Sequence, residues 1–329
     1  MIRQLKYILL LMCVCVAIYF FLYNNKNNVN LPDSIGDPLE LVMISDKNTF
    51  NKDFYRVLKS YLSVDIGPSP QSEKLLSIIE VDSEKFTGLF KRHQNLLFVS
   101  KSDSFRIVFN QNVFARDQSV TILEVPYIEM LETKKSSLLN LVKTIKHIEK
   151  TRLVKKFKLN VDQNIADQLA KTHKKTLFLP KGFFVAHQDS NTTWLRRETP
   201  KISQGIFISN LTLNSEFGLN PINNTVLGIN SKIAPHISGS IEGSYMVCDL
   251  NAPISIDTIM LGVDSVLKIQ SLWRMEQDFM GGAYLTYLFY NEDEPTFIYT
   301  YLYAPGETKK IPLLQLESMV STLELTTIK

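Results

Sequence analysis

The sequence predicts an α+β protein in two parts. A small α/β sandwich is followed by a mostly antiparallel sheet with helices on one side, and an N-terminal membrane anchor precedes both. Three observations predict this. Apolar runs of strand length alternate with helical faces from Leu39 to Glu124, a lysine-rich helical run follows, and from Thr176 the apolar period shifts to two. At 329 residues the chain is too long for one small core, so two domains are expected. Hydrophobic residues at 45% exclude a disordered chain, and a mean hydropathy of −0.02 excludes a polytopic membrane protein. A net charge of +3 gives no reason to expect nucleic acid as a partner.

Residues 1–23 are the anchor. Arg3 and Lys6 precede an uncharged apolar run of 17 residues from Tyr7 to Tyr23. As a helix this run spans roughly 26 Å, close to the roughly 30 Å hydrocarbon core. The positive flank places the N-terminus in the cytoplasm and the body of the protein in the periplasm, so an inner-membrane protein with periplasmic domains is expected. Two alternatives compete. A cleaved signal peptide needs small residues at its end, whereas this run closes on Tyr19-Phe20-Phe21-Leu22-Tyr23. Lipidation at Cys13 or Cys15 would tether the chain to the outer membrane, but bulky residues precede both cysteines. Cys248 stands far from the other two, so no disulfide framework is expected.

Residues 24–37 read as a tether, rich in Asn with Pro32 and Gly36, and Pro38 follows directly. Residues 38–133 form the first domain. Leu39–Ile44 reads as a buried strand, and Phe50, Phe54, Val57, Leu58 and Tyr61 share a helical face. Leu75–Val81 is the next strand, and Asp82 caps a helix carrying Phe86, Leu89 and Phe90. Leu96–Ser100, Phe105–Asn110 and Ser119–Glu124 complete the sheet. Residues 134–175 are a basic helical connector with Leu138, Leu141, Val142, Ile145 and Ile148 on one face. Here eleven lysines and Arg152 stand against Glu149, Asp162 and Asp167, an excess of nine positive charges. A solvated face and a surface for an anionic partner are the two readings of that excess.

Residues 176–329 are the second domain. Strands are expected at Thr176–Leu179, Phe183–His187, Thr192–Glu198, Gly205–Leu211, Ser244–Leu250, Ser265–Glu276, Ala283–Tyr290 and Thr296–Tyr303. Helices are expected over Pro221–Ala234 and around Leu313, Leu316, Val320 and Leu323. Phe279-Met280-Gly281-Gly282 reads as a turn in which the glycines supply positive φ.

Several runs in this half are distinctive: Trp194-Leu195-Arg196-Arg197-Glu198-Thr199-Pro200, Ile202-Ser203-Gln204-Gly205-Ile206, Glu242-Gly243-Ser244-Tyr245-Met246, Leu272-Trp273-Arg274-Met275-Glu276-Gln277-Asp278-Phe279-Met280-Gly281-Gly282 and Tyr303-Ala304-Pro305-Gly306. With these motifs the chain resembles the Bacteroidota cell-envelope proteins grouped as domain-of-unknown-function family 4837, over nearly all of its length after the tether. The resemblance implies an envelope protein, often a lipoprotein, and implies no activity, cofactor or catalytic residue.

No metal-protease, dithiol, P-loop or dinucleotide motif occurs, and His93, His147, His173, His187 and His236 show no ligand-like spacing, so no metal and no cofactor are expected. Ser265 and Lys268 match S-x-x-K, but on a strand residues three apart point to opposite faces. The residues that stand out are aromatic and charged. Trp194, Arg196 and Glu198 lie on one strand, Arg274, Glu276 and Asp278 on and after another, and Tyr299 and Tyr301 in an alternating aromatic row. They are the candidate binding groove, with internal ion pairing and cross-strand packing as the plainer reading. The function expected is a non-enzymatic binding or assembly module that meets another envelope protein or a glycan. Its alternatives are an enzyme built on the same Arg, Glu and Asp residues, and a structural spacer.

Overall fold

The computed structural model describes residues 31–46, 49–211, 221–290 and 295–325. The expected anchor and most of the tether, Cys13 and Cys15 included, lie outside the described residues. Among the described residues no helix is long and apolar enough to cross a membrane.

The first unit is a five-stranded sheet of β1 (Glu40–Ser45), β2 (Ser77–Asp82), β3 (Asn95–Lys101), β4 (Arg106–Gln111) and β5 (Ser119–Val125), in the order β2-β1-β3-β5-β4. All neighbours are parallel except β4, which runs antiparallel to β5 at the edge. Helix α1 (Lys52–Leu62) crosses from β1 to β2. Its start is set by Asn51, whose side chain accepts the Phe54 N–H at 2.9 Å, and its buried face is Phe54, Leu58 and Leu62. The helix expected after Asp82 is instead two short 3₁₀ turns, Ser83–Lys85 and Gly88–Arg92. Asp82 does cap the first, accepting the Glu84 N–H, but Gly88 takes a positive φ that interrupts the run, and Leu89 is exposed. Phe86 and Phe90 from these turns cover the outer face of the sheet with Phe98 and Phe114. The last residues assigned to the tether are held on this domain: the Ile35 N–H donates to the Arg92 carbonyl at 2.9 Å, and Arg116 pairs with Asp33.

After the short α2 (Glu129–Thr133), the basic segment forms α3 (Lys135–Leu159) and α4 (Gln163–His173). Most of its lysines do face solvent, Lys134, Lys135, Lys143, Lys155, Lys156, Lys158, Lys171 and Lys174 among them, but α3 is also a central beam. It buries Leu138, Leu141, Val142, Ile145, Leu153 and Phe157. Arg152 donates to Asn95 Oδ1 at 2.8 Å and to the buried Glu149 at 2.9 Å, which fastens α3 to the first sheet. Lys146 and Lys150 reach Glu317 of the second unit at 2.7 and 3.7 Å.

The second unit holds β6 (Lys175–Thr176), β7 (Phe184–Gln188), β8 (Thr192–Glu198), β9 (Ser203–Asn210), α5 (Pro221–Ile233), β10 (Tyr245–Cys248), β11 (Ser255–Leu261), β12 (Asp264–Glu276), β13 (Gly281–Phe289), β14 (Thr296–Tyr303), α6 (Lys310–Val320) and β15 (Glu324–Leu325). Eight of the strands make one antiparallel sheet ordered β10-β12-β13-β14-β9-β8-β7, with β11 paired beside β10 along the long β12. Helices on one side were expected, whereas both faces are covered. On β13, Ala283, Leu285, Tyr287 and Phe289 join α6, while Tyr284 and Leu288 join Val226, Ile229 and Ile233 of α5. A strand buried on both faces loses its alternation, which is why it reads as a continuous apolar run. Strand β11 escaped the sequence reading because most of its residues face solvent. The turn after β12 takes its positive φ at Gln277, not at Gly281 or Gly282.

Candidate functional site

The residues proposed to line a groove in the second unit do not do so. Tyr299 is fully buried, Tyr301 is 3% exposed and Trp194 8%, all within the α5 core. Trp194 Nε1 donates to the Tyr301 hydroxyl at 3.3 Å, and burial pushes the Tyr301 hydroxyl up to about 12. The charged members lie apart. Arg196 pairs with Glu198 at 2.5 Å on the face that carries Trp194, and its guanidinium lies 5.1 Å from the Trp194 ring. Arg274 pairs with Glu276 at 2.6 Å and is on the opposite face from Trp273. Strands β13, β14 and β9 stand between β12 and β8, a separation of about 19 Å along the sheet at the usual strand spacing. Asp278 accepts from Ser240, which with nearby backbone N–H groups holds its carboxyl below the usual range. Two charge pairs on opposite faces cannot converge on one substrate.

A concave site does exist in the first unit, where the sequence reading placed none. A cleft of about 810 Å³ opens at the carboxyl ends of β1 and β2. Strand order reverses beside it, since the chain steps from β1 out to β2 and then back across to β3. In open α/β sheets such a reversal leaves a crevice in which ligands bind. Ser45, Asn51 and Lys52 line it from the β1–α1 connection, Arg56 and Lys59 from α1, and Glu80, Asp82 and Lys85 from the far wall. Phe50 stacks on Phe54 with ring centroids 3.7 Å apart, and Tyr55 stands edge-on to both. The Tyr55 hydroxyl donates to the Asp46 carbonyl at 3.1 Å, and partial burial raises it from its ordinary value. Lys59 is drawn to Glu80 at 2.5 Å and Arg56 to Asp53 at 3.0 Å. The lining is cationic on balance, with Lys52, Arg56, Lys59 and Lys85 against Glu80 and Asp82. Its signal in the sequence was the stretch from Phe50 to Lys59, where aromatic and basic residues alternate around a helix start.

Of the histidines, His147 is exposed and His93 lies 3.9 Å from Glu40. His173 bonds Thr193 at 2.8 Å, and burial depresses it to about 4. His187 and His236 come together beside Asp189, so spacing along the chain missed a proximity that only the fold creates. Cys248 is buried and free, its thiol pushed up to about 12 by burial, which keeps it protonated and inert.

Two families match the chain. Residues 34–158 match a domain of unknown function, DUF8532, and residues 162–322 match a domain of unknown function, DUF4837. The resemblance expected over nearly the whole chain is therefore confined to the second unit, and the boundary falls in the turn after α3. No curated protein matches. What is shown is therefore a match of residues 162–322, just under half of the chain, to the domain of unknown function DUF4837.

Proposed function

We propose that this protein is a membrane-anchored, non-catalytic binding module of the cell envelope whose ligand site is the cleft of the first unit. The observation that carries this reading is the position of that cleft, at the carboxyl ends of parallel strands beside a strand-order reversal. Its lining favours a small anion with a flat apolar body. Phe50, backed by the buried Phe54, and Tyr55 offer an aromatic wall, and Lys52, Arg56 and Lys85 offer charge. The N-terminal run from Tyr7 to Tyr23 supports the anchoring. Such a module would meet its partner, an envelope protein or a glycan, through the remaining surface.

The test uses the full chain in mild detergent and a panel of flat aromatic phosphates and carboxylates with their neutral counterparts, read by ligand-observed NMR. Anionic members bind, and Arg56→Glu together with Lys85→Glu weakens them about tenfold or more. Equal binding by neutral members, or no effect of the two reversals, overturns the reading. In cells, alkaline extraction leaves a Cys13→Ser, Cys15→Ser double variant in the membrane pellet. Its release or build-up as a precursor would make the protein a lipoprotein.

A further inference from the structure

Three metal-ligating side chains from distant stretches of chain converge at the β7 end of the second sheet. His187 lies on β7, Asp189 just after it, and His236 three residues beyond α5. One ligand atom from each lies within 4.8 Å of the other two. His187 Nε2 is 3.2 Å from Asp189 Oδ2, and the His187 and His236 rings face each other with centroids 4.2 Å apart.

The backbone builds this arrangement rather than leaving it to chance rotamers. Strand β7 is the sheet edge, and its pairing with β8 shifts register between Val185 and His187. A bulge of this kind re-aims the side chain that follows it. Asp189 Oδ1 accepts the N–H groups of Asn191 and Thr192, each at 2.8 Å, which fixes the carboxylate and turns Oδ2 toward the histidines. His236 is held in a turn by its N–H bond to the Ile233 carbonyl at 3.1 Å, with its ring 5.8 Å from Phe207. Two imidazoles this close suit a shared cation better than two protons, because like charges repel while neutral rings both offer a lone pair.

We propose that His187, Asp189 and His236 bind one divalent transition-metal ion, zinc by default, with water or an external donor in the fourth position. Metal–ligand bonds of about 2.0–2.1 Å in a tetrahedron put ligand atoms about 3.4 Å apart. The His187–Asp189 pair already has nearly that separation at 3.2 Å, and the two edges to His236, each within 4.8 Å, would have to shorten on binding. Two imidazoles and a carboxylate select zinc, copper or nickel over calcium and magnesium, which want oxygen alone. Once bound, the ion would clasp the edge strand β7 to the turn after α5, two pieces of chain about fifty residues apart that share no ladder hydrogen bonds.

The experiment is calorimetric titration of chelator-stripped full chain in mild detergent with Zn²⁺, with Co²⁺ absorption as a report on geometry. One Zn²⁺ binds per chain, Co²⁺ gives the visible bands of a four-coordinate site, and Zn²⁺ raises the unfolding midpoint. His187→Ala and His236→Ala each weaken Zn²⁺ at least about tenfold, and Asp189→Asn weakens it less. Because none of the three side chains is fully buried, metal-free midpoints stay close to that of the parent. If an alanine variant misfolds, His236→Gln provides the same comparison. Binding only at millimolar zinc, or binding unchanged in the His187→Ala, His236→Ala double variant, overturns the proposal. The first result leaves a simple His–Asp hydrogen bond, and the second points to other ligands.

Discussion

Gly205 and Gly282 show what the motif residues of the second unit do. Gly205 stands opposite Tyr301 in the β9–β14 ladder, and Gly282 opposite Trp273 in the β12–β13 ladder. In each pair the aromatic ring lies over the missing side chain. A Cβ on Gly205 would collide with the Tyr301 ring, and one on Gly282 with the Leu302 carbonyl oxygen. That carbonyl accepts the Trp273 indole N–H at 3.2 Å. Glycines covered by cross-strand aromatics pin strand register, so the segments that made this half recognisable specify packing, not a binding surface. The two substitutions to alanine should differ. Gly205→Ala meets a ring that can tilt and costs about 1–3 kcal/mol. Gly282→Ala meets backbone that cannot move without breaking the ladder, so it reaches or exceeds the top of that range. Urea unfolding followed by tryptophan fluorescence measures both, and an equal or smaller loss at Gly282 would refute the steric account.

At the scale of elements, α3 is where sequence and structure diverge most usefully. Its existence was legible from a periodic apolar face, as were α1, α5, α6 and most of the strands, because burial on one side leaves a period. Its role was not, because a lysine reads alike whether it faces water or a buried carboxylate elsewhere in the chain. The same blindness hid the partner of Glu317, a residue of α6 that is 9% exposed. It likewise made Tyr299 and Tyr301 look available, and it left the cleft unread, since a crevice between strand ends has no linear signature. Burial pushes the Glu317 carboxyl up, but Lys268 at 2.5 Å, Lys146 and Lys150 together overcome this and hold it well below the ordinary range. The unfolded chain, with a carboxyl near about 4.3, then binds a proton that the folded chain refuses. The stability Glu317 supplies is therefore complete above about pH 4.3 and is lost as pH falls from there toward the lower folded value. Glu317→Gln leaves three ammonium groups facing one another and should cost about 3–5 kcal/mol at pH 7. The gap between parent and variant should narrow on acidification from pH 5 to pH 3. A gap that stays constant or widens over that interval would mean the carboxylate is not what holds α3 to α6.

For the whole molecule, two family matches meet at residues 158 and 162, yet the packing does not divide there. One apolar cluster runs from Leu41 and Met43 of the first sheet through Leu58 of α1 and Leu141 of α3 to Leu314 of α6 and Leu285 of β13. Polar bonds cross the same boundary: Gln270 Nε2 donates to the Ile66 carbonyl at 3.0 Å, and the Lys309 N–H donates to Glu73 at 2.7 Å. A core shared in this way makes neither unit's buried surface complete without the other, so the two should unfold together. The chain supplies its own reporter, because both tryptophans, Trp194 and Trp273, lie in the second unit. Leu58→Ala removes a fully buried side chain from α1 in the first unit and should cost about 2–5 kcal/mol. If the molecule is one cooperative body, that loss lowers the urea midpoint seen by tryptophan fluorescence as much as the midpoint seen by far-ultraviolet circular dichroism, on the order of 1 M. If the two units are independent, the tryptophan midpoint stays where it was while the dichroism splits into two steps. A single coincident shift requires that the cleft in one unit and the histidine cluster in the other share one folding equilibrium, so that a ligand bound at either stabilises both.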